Sequence, residues 1–214
     1  MGILERFRFA ALGAFFFLSA SSAVLALESY VFASAGLESN DNADFYWSPT
    51  SFLEEKTDFV TNPGMAVTAA YGVKADILPL MLQIEGNASA FTGAADFDGV
   101  EADIDVQLYS LAAGAYYNIP LNDTTNVNFG GSVGRGWIDY TSNDIAMNTE
   151  DGGRMAWHLR TGFSRPIAQG DLYFGLRYSR MMDAEVMVDN DTEYTISHSS
   201  ISMELGLRYF VARN

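Results

Sequence analysis

The sequence predicts an all-β fold: an eight-stranded antiparallel transmembrane β-barrel that follows a cleaved signal peptide. Three observations lead to this prediction. Several segments alternate between apolar and polar residues, so that one face of each segment is apolar. Short and long connections between these segments alternate along the chain. After residue 26, no uninterrupted apolar run is long enough for a membrane-spanning helix, so we expect any membrane crossing to use strands.

Residues 1–26 have the composition of a signal peptide. Arg6 and Arg8 form a short basic region, an apolar stretch follows, and small residues lead to a cleavage site after Ala26. We therefore expect residues 27–214 to form one barrel domain. The alternative is an N-terminal membrane anchor, but the apolar stretch is short for a helix that spans a bilayer.

The alternation is clearest near the C-terminus. Residues 201–211 carry apolar side chains at the odd positions, whereas Ser202, Glu204, Gly206 and Arg208 occupy even ones. Because successive side chains of a strand point to opposite faces, this segment has one apolar face. The same pattern recurs at residues 66–74, 80–90, 155–164 and 172–179.

Three segments alternate less regularly. In residues 102–119 the apolar side chains change from even to odd positions, and a β-bulge near Tyr109 or Ser110 would restore a single apolar face. In residues 125–140 the apolar face includes Arg135, which we place either near the lipid headgroups or beyond a second bulge. The first strand, near residues 29–37, alternates weakly.

The connections supply the strand count. Short ones at residues 74–77, 120–123 and 166–170 alternate with long polar ones at residues 38–64, 92–101, 141–153 and 183–194. These seven connections join eight strands. Since transmembrane barrels have short periplasmic turns and longer extracellular loops, we expect both chain ends in the periplasm and four acidic loops outside the cell.

A soluble β-sandwich or lipocalin-like barrel is the alternative interpretation, because its polar face meets water and its apolar face packs in a core. Two features favour the membrane. The opposite face mixes small residues with charges, as the filled interior of a narrow barrel requires. Four tyrosines on the apolar face, near the predicted turn-side strand ends, suit an interfacial girdle: Tyr71, Tyr117, Tyr178 and Tyr209.

The composition argues against several classes of function. The 214-residue chain has a formal net charge of −15, which disfavours nucleic-acid binding. It has no cysteine and two histidines, so we expect no disulfide framework and no transition-metal site. The acidic clusters lack the spacing of a calcium loop, which favours a solvated rim, and we expect no cofactor.

Four stretches carry a family resemblance: YSLAAGAYYNIPL (109–121), NFGGSVGRGW (128–137), LYFGLRYSRM (172–181) and HSSISMELGLRYF (198–210). They resemble the strands of the opacity-protein/OmpA-type family of small outer-membrane β-barrels. The resemblance implies an eight-stranded barrel in the bacterial outer membrane, with surface loops and no general catalytic role. The chain departs from the family at its end, where Phe210 is followed by four further residues rather than closing on an aromatic.

Charged residues on the predicted inward face form the first candidate site: Lys74, Glu85, Arg160, Arg177, Glu204 and Arg208. Buried charges must be paired or neutralised, so the favoured interpretation is a structural salt-bridge network that fills the lumen. The alternative is a narrow ion path. The sequence does not assign individual pairs.

Two further candidates concern catalysis and recognition. His198, Ser200 and Glu204 have the residue types of a base, a nucleophile and an orienting carboxylate, as in the barrel enzyme that deacylates lipid A. All three residues are at even positions, whose side chains we expect to point into the barrel and away from lipid. We therefore predict no catalytic residues. The first long connection offers an aromatic contact patch, consisting of Tyr46, Trp47 and Phe52.

The sequence therefore predicts a non-enzymatic barrel with a structural or surface-interaction role, adhesin-like or antigen-like, through four acidic loops. The first alternative is a small porin-like channel through the charged lumen, and a less favoured one is a lipid A-modifying enzyme. The expected partners are outer-membrane lipid and lipopolysaccharide, with a host or other surface ligand at the loops. We expect a monomer.

Overall fold

The computed structural model of the protein describes residues 27–40, 43–47, 55–75, 79–97, 100–149, 152–188 and 192–212. The predicted signal peptide, residues 1–26, lies outside the described residues, as does Phe52. Among the described residues, no helix is long and apolar enough to cross a membrane.

The described residues form eleven β-strands in one antiparallel sheet. Eight strands are long: β1 (Leu27–Asn40), β4 (Gly64–Ala75), β5 (Leu80–Phe97), β6 (Val100–Asn122), β7 (Thr125–Ser142), β9 (Arg154–Ile167), β10 (Gly170–Val188) and β11 (Thr192–Ala212). Three are short: β2 (Ala43–Trp47), β3 (Glu55–Thr61) and β8 (Met147–Thr149).

The eight long strands close into a ring. Each pairs with the next long strand, and β11 pairs back onto β1 from Ser29↔Ala212 to Asn40↔Ser200. Closure removes the free sheet edge and satisfies the backbone hydrogen bonds that lipid cannot satisfy. The predicted eight-stranded antiparallel barrel is therefore confirmed.

The short strands lengthen the wall at the loop end. β2 continues β1 along β11, where Tyr46 pairs with Thr195, and β3 leads into β4 along β5, where Phe59 pairs with Ala95. In the same way β8 leads into β9 along β10.

Three of the predicted long loops, 38–64, 92–101 and 183–194, are mostly strand, so their predicted bounds are wrong. β5 and β6 remain paired to Phe97↔Val100, inside the predicted loop 92–101. β10 and β11 remain paired to Val188↔Thr192, inside the predicted loop 183–194. These segments have the polar composition of loops because strands that extend beyond the membrane carry polar residues on their outward, water-facing side.

The predicted bulge near Tyr109 is also wrong. The pairing of β6 with β5 is continuous from Leu80↔Tyr117 to Phe97↔Val100, with no register shift. Even-numbered residues therefore face inward along the strand, and Ile104 and Val106 are buried inside the barrel. The second bulge considered for β7 is absent from its described pairings with β6 and β9 around Arg135, which faces outward and is exposed.

A bulge occurs instead in β10, between Met181 and Ala184. It moves the inward positions of β10 from odd to even numbers, so that Val186 is buried as Met181 is. The bulge therefore keeps an apolar side chain inside the barrel on both sides of the irregularity.

The barrel thus has two parts of opposite polarity. In the lower barrel, which reaches from the short turns to the level of Ser110 on β6, apolar side chains cover the outside. Phe163 is 56% exposed and Leu205 is 59% exposed, as lipid-facing side chains should be. In the upper barrel, from Tyr109 on β6 to the loop end, the outward side chains of β6 include Glu101, Asp103 and Asp105.

Aromatic residues mark both edges of the apolar band. Near the turns Tyr117 stacks on Phe129, with ring centroids 5.2 Å apart. Near the level where the polarity changes, Trp157 contacts Tyr178 at 5.2 Å. Tyr178, predicted near the turns, therefore lies at the opposite edge, because β10 has already crossed the band by this residue.

Candidate functional site: the charged interior of the lower barrel

Arg160 lies at the centre of the charged interior. The alternation of β9 turns its side chain inward, where Nη1 is 3.1 Å from Glu85 of β5 and Nε is 3.0 Å from Glu204 of β11. All three side chains are buried, and Glu85 is fully so. One guanidinium thus joins carboxylates from two other strands by charge-assisted hydrogen bonds.

Arg177 of β10 extends this cluster. Its guanidinium is 3.3 Å from Glu204 and 3.6 Å from Glu38 of β1, and its Nη1 donates to Thr68 at 2.6 Å and to Asn87 at 2.7 Å. We call Glu38, Glu85, Arg160, Arg177 and Glu204 the charge layer. Glu38 was missed from the sequence, although its even position on β1 shares the inward parity.

Neutral polar groups complete the charge layer. The Glu85 carboxylate accepts hydrogen bonds from Ser132 at 2.6 Å, Gln83 at 2.5 Å and Tyr116 at 3.0 Å. His158 lies beside the layer, with one ring nitrogen 2.9 Å from Ser110. Such bonds offset the desolvation of charges that are buried inside the barrel.

The remaining predicted charges form separate pairs near the turns. Arg208 donates to Asp171 at 2.8 Å, and Lys74 lies 3.6 Å from Glu28. The structure therefore distributes the six sequence-predicted residues over the charge layer and two turn-side pairs. Asp171 and Glu28 were not selected from the sequence.

An aromatic layer lies on the turn side of the charge layer, with its Phe32 in register with Arg208. It consists of buried Tyr30, Phe32, Met81, Tyr116 and Tyr173. The Arg160 guanidinium is 5.2 Å from the centre of the Phe32 ring, a cation–π distance. Glycine provides room for these rings, since a Cβ on Gly72 would lie 2.5 Å from the Tyr30 ring.

An apolar plug lies on the other side, inside the upper barrel. Its buried members are Phe59, Phe91, Ala95, Ala102, Ile104, Val106, Leu108, Ile138, Tyr140, Met181, Val186 and Ile196. β3 and β10 contribute to it as well as β6, so the extended wall encloses an interior of its own. The charge layer is therefore packed between aromatic and apolar layers.

Two cavities accompany this interior. A cavity of about 30 Å³ touches Glu38, His158 and Arg177, and it is large enough for about two waters. A larger pocket of about 310 Å³ lies at the turn end, beside Lys74 and Asp171. The turn-side pocket is lined by the turn-end charges, whereas the small cavity adjoins the charge layer.

The three residues considered for catalysis are engaged elsewhere. The His198 ring lies 2.9 Å from the Asn40 side-chain oxygen and stacks on Phe91 at 4.9 Å. Glu204 pairs with the two arginines of the charge layer, and Ser200 is buried among the inward residues. This arrangement does not form a Ser-His-Glu chain of contacts.

The aromatic patch is only partly described. Tyr46 and Trp47 belong to β2, where their backbones pair with Thr195 and Tyr194 of β11. The positions of their side chains are outside the described structure. Within the described residues, no group of three or more histidine, aspartate or glutamate side chains could hold a metal ion.

Comparisons with known proteins support the fold. No family model and no curated protein sequence matches the chain. Among solved structures, OprG from Pseudomonas aeruginosa is similar with 13% identity and a TM-score of 0.55, over 86% of this chain and 97% of OprG. The Escherichia coli outer membrane protease OmpT gives 8% identity and a TM-score of 0.57, over 89% of this chain and all (100%) of OmpT.

A third solved structure, Neisserial surface protein A, is 16% identical, with a TM-score of 0.50 over 85% of this chain and 96% of that protein. At these identities the similarity concerns the fold. Together with the chain's own closed ring and apolar outer band, it shows that the protein has the fold of outer-membrane β-barrels.

Proposed function

We propose that the protein is a non-conducting, non-enzymatic barrel that serves as a structural and surface-interaction protein of the outer membrane. The observation that carries the proposal is the layered interior. The apolar plug, the charge layer and the aromatic layer follow one another along the barrel, and each is composed of buried side chains. A hydrated ion would have to displace ion pairs and apolar packing in succession.

The loop end supports the surface-interaction part of the proposal. The wall of the upper barrel carries exposed carboxylates on the outward face of β5 and β6, which we call the acidic face: Asp96, Glu101, Asp103 and Asp105. Strands hold these groups in fixed positions. A dense negative face on a rigid support attracts a basic partner and steers its approach.

A conductance measurement tests the closed interior. The protein is reconstituted in planar bilayers beside a general porin as a positive control. We expect the porin to give stepwise currents and this protein to give none. Reproducible steps whose ion selectivity changes in Glu85→Gln would contradict the proposal and establish the channel alternative.

A binding measurement tests the acidic face. Polylysine is titrated into the detergent-solubilised protein at low and physiological salt. We expect Asp103→Asn/Asp105→Asn to weaken binding and reduce its dependence on salt, because charged contacts between exposed groups are screened. Asp123→Asn, an exposed carboxylate at the turn end, is the matched control and should leave binding unchanged.

The channel is the second candidate function, favoured by the polar pocket at the turn end. This pocket is lined in part by Lys74, Asn118 and Asp171 and gives the turn-side mouth an aqueous entrance. Conduction would require a rearrangement of the aromatic layer and the charge layer above it. The same bilayer recording separates the two candidates.

A further inference from the structure

The distribution of positive charge on the outside of the barrel is uneven. The chain has 12 lysines and arginines against 27 aspartates and glutamates, and Lys74, Arg160, Arg177 and Arg208 point inward. Among the cationic side chains that the structure describes, three face outward and are exposed: Arg135, Arg165 and Arg180. Within the described part of the chain, exposed positive charge is therefore confined to few places.

Arg135 and Arg180 lie on either side of one strand. Arg135 of β7 is in register with Met155 of β9, and Arg180 of β10 is in register with Trp157 of β9. The two arginines are thus two strands apart, about 10 Å across the sheet. The Arg135 side chain extends along the outer surface of β9 toward the loop end, where it covers Gly153.

Aromatic residues place this pair at the membrane boundary. Trp137 follows Arg135 by two positions on the same face of β7, and Trp157 contacts Tyr178 with ring centroids 5.2 Å apart. Tryptophan and tyrosine concentrate at the level of lipid headgroups. Because this edge of the apolar band is the loop side, it faces the outer leaflet.

Neither arginine has an acidic neighbour in register. Leu111 and Met155 flank Arg135, while Trp157 and Ser199 flank Arg180. Within the described part of the chain, neither guanidinium takes part in an ion pair. Both are therefore free to bind an anion.

The positive charge of the two arginines and their position at the membrane boundary indicate an anionic lipid as the ligand. Guanidinium groups bind phosphate through paired hydrogen bonds, and the aromatic rings and the apolar band beneath them suit a lipid's acyl chains. We propose that Arg135 and Arg180 bind the phosphates of lipid A, the phosphorylated glycolipid anchor of lipopolysaccharide, and that Trp157 packs against its acyl chains. We call this group the basic interface site. This proposal requires that the loop end of the barrel faces the outer leaflet, and it does not require that the barrel interior is closed to ions.

The site can be tested by titration in detergent. The full-length protein is titrated with lipid A and with dephosphorylated lipid A, while the fluorescence of its tryptophans is followed. Charge-assisted hydrogen bonds contribute enough that Arg135→Gln and Arg180→Gln should each weaken lipid A binding by about tenfold. Removal of the phosphates should weaken binding to the unmodified protein by at least as much.

Arg165→Gln is the matched control. Arg165 is an exposed, outward arginine of β9 near the opposite, turn-side edge of the band, and its substitution should leave lipid A binding unchanged. Equal binding of lipid A and its dephosphorylated form, or an equal loss in all three variants, would overturn the site. Phosphatidylglycerol that binds as tightly as lipid A would overturn the assignment to the glycolipid. Retained resistance to cold SDS verifies that each variant is folded.

Discussion

The upper and lower barrel are built from the same strands with opposite polarity. On β6, Ile104 and Val106 point inward while Asp103 and Asp105 point outward in the upper barrel. Lower on the strand, Leu111 and other apolar residues point outward and polar groups face the charge layer. The strand crosses this boundary without a bulge.

The difference follows from what surrounds each part. The lower barrel meets lipid, so its polar residues face inward, where they must be paired. The upper barrel meets water, so its apolar residues can pack in an ordinary hydrophobic core. The lower interior therefore depends on electrostatic pairing, whereas the upper interior depends on packing and burial.

The largest effect is expected in the charge layer. Arg160→Met leaves buried Glu85 without its ion pair, and loss of one partner of a buried pair costs about 3–5 kcal/mol of unfolding free energy. Urea unfolding in lipid vesicles measures this loss. Arg165→Met, at an exposed outward position of the same strand, should change the unfolding free energy by no more than about 0.5 kcal/mol. Equal stability of the two variants would mean that the charge layer does not support the lower barrel.

The apolar plug should respond to loss of volume. Ile104→Ala removes buried methyl groups from a packed interior and should lower the unfolding free energy by about 2–5 kcal/mol. The adjacent exposed Asp103→Ala should change it by within about 0.5 kcal/mol. If the aspartate variant is the less stable one, the upper barrel has the opposite polarity to the one described.

Charge insertion distinguishes lipid from water outside the barrel. Leu205→Arg places a cation on the outward face of β11 within the apolar band, at an expected cost of about 2–4 kcal/mol in vesicles. Ser197→Arg lies on the same outward face of that strand in the upper barrel and should cost less than about 0.5 kcal/mol. A similar cost at both positions would show that the polarity boundary on β11 is misplaced.

The smallest effect concerns the aromatic edge between the two parts. Trp157→Leu removes the ring contact with Tyr178 and should lower the unfolding free energy by about 0.5–1.5 kcal/mol. Vesicle unfolding again measures the change. Tyr178→Leu should cost a similar amount, and the double variant should cost less than the sum of both. Strict additivity would indicate that the two rings do not interact.

The sequence was sufficient for the fold because the period-two pattern is strong in the lower barrel. Residues such as Leu205 and Phe174 mark an unbroken apolar face on their strands, and the alternating connections give the ring of eight. The sequence-based prediction is wrong for the upper barrel because alternation with a period of two does not indicate which of the two faces of a strand points outward. The predicted bulge near Tyr109 turns Ile104 outward, whereas in the structure the acidic residues at 101, 103 and 105 occupy the outward positions.

The candidate site was predictable in part. Inward parity selects Glu85, Arg160 and Glu204, since their strands alternate clearly, and all three side chains are buried in the structure. It missed Glu38, which falls in the predicted loop 38–64 although β1 continues to Asn40, and it missed Asp171 beside a turn. Pairing partners could not be assigned, because each ion pair joins strands whose relative register only the closed barrel fixes.

A cysteine scan along β6 tests the inversion of polarity most directly. The chain has no cysteine, so single cysteines introduced at positions 101–119 can each carry a spin label in vesicle-embedded protein. Relaxation by lipid-soluble oxygen and by a water-soluble nickel complex is then compared. The structure predicts oxygen access at 111, 113 and 115, nickel access at 101, 103 and 105, and low access to both at 104, 106 and 108. Oxygen access at 104, 106 and 108 would contradict the structure and restore the bulge near Tyr109.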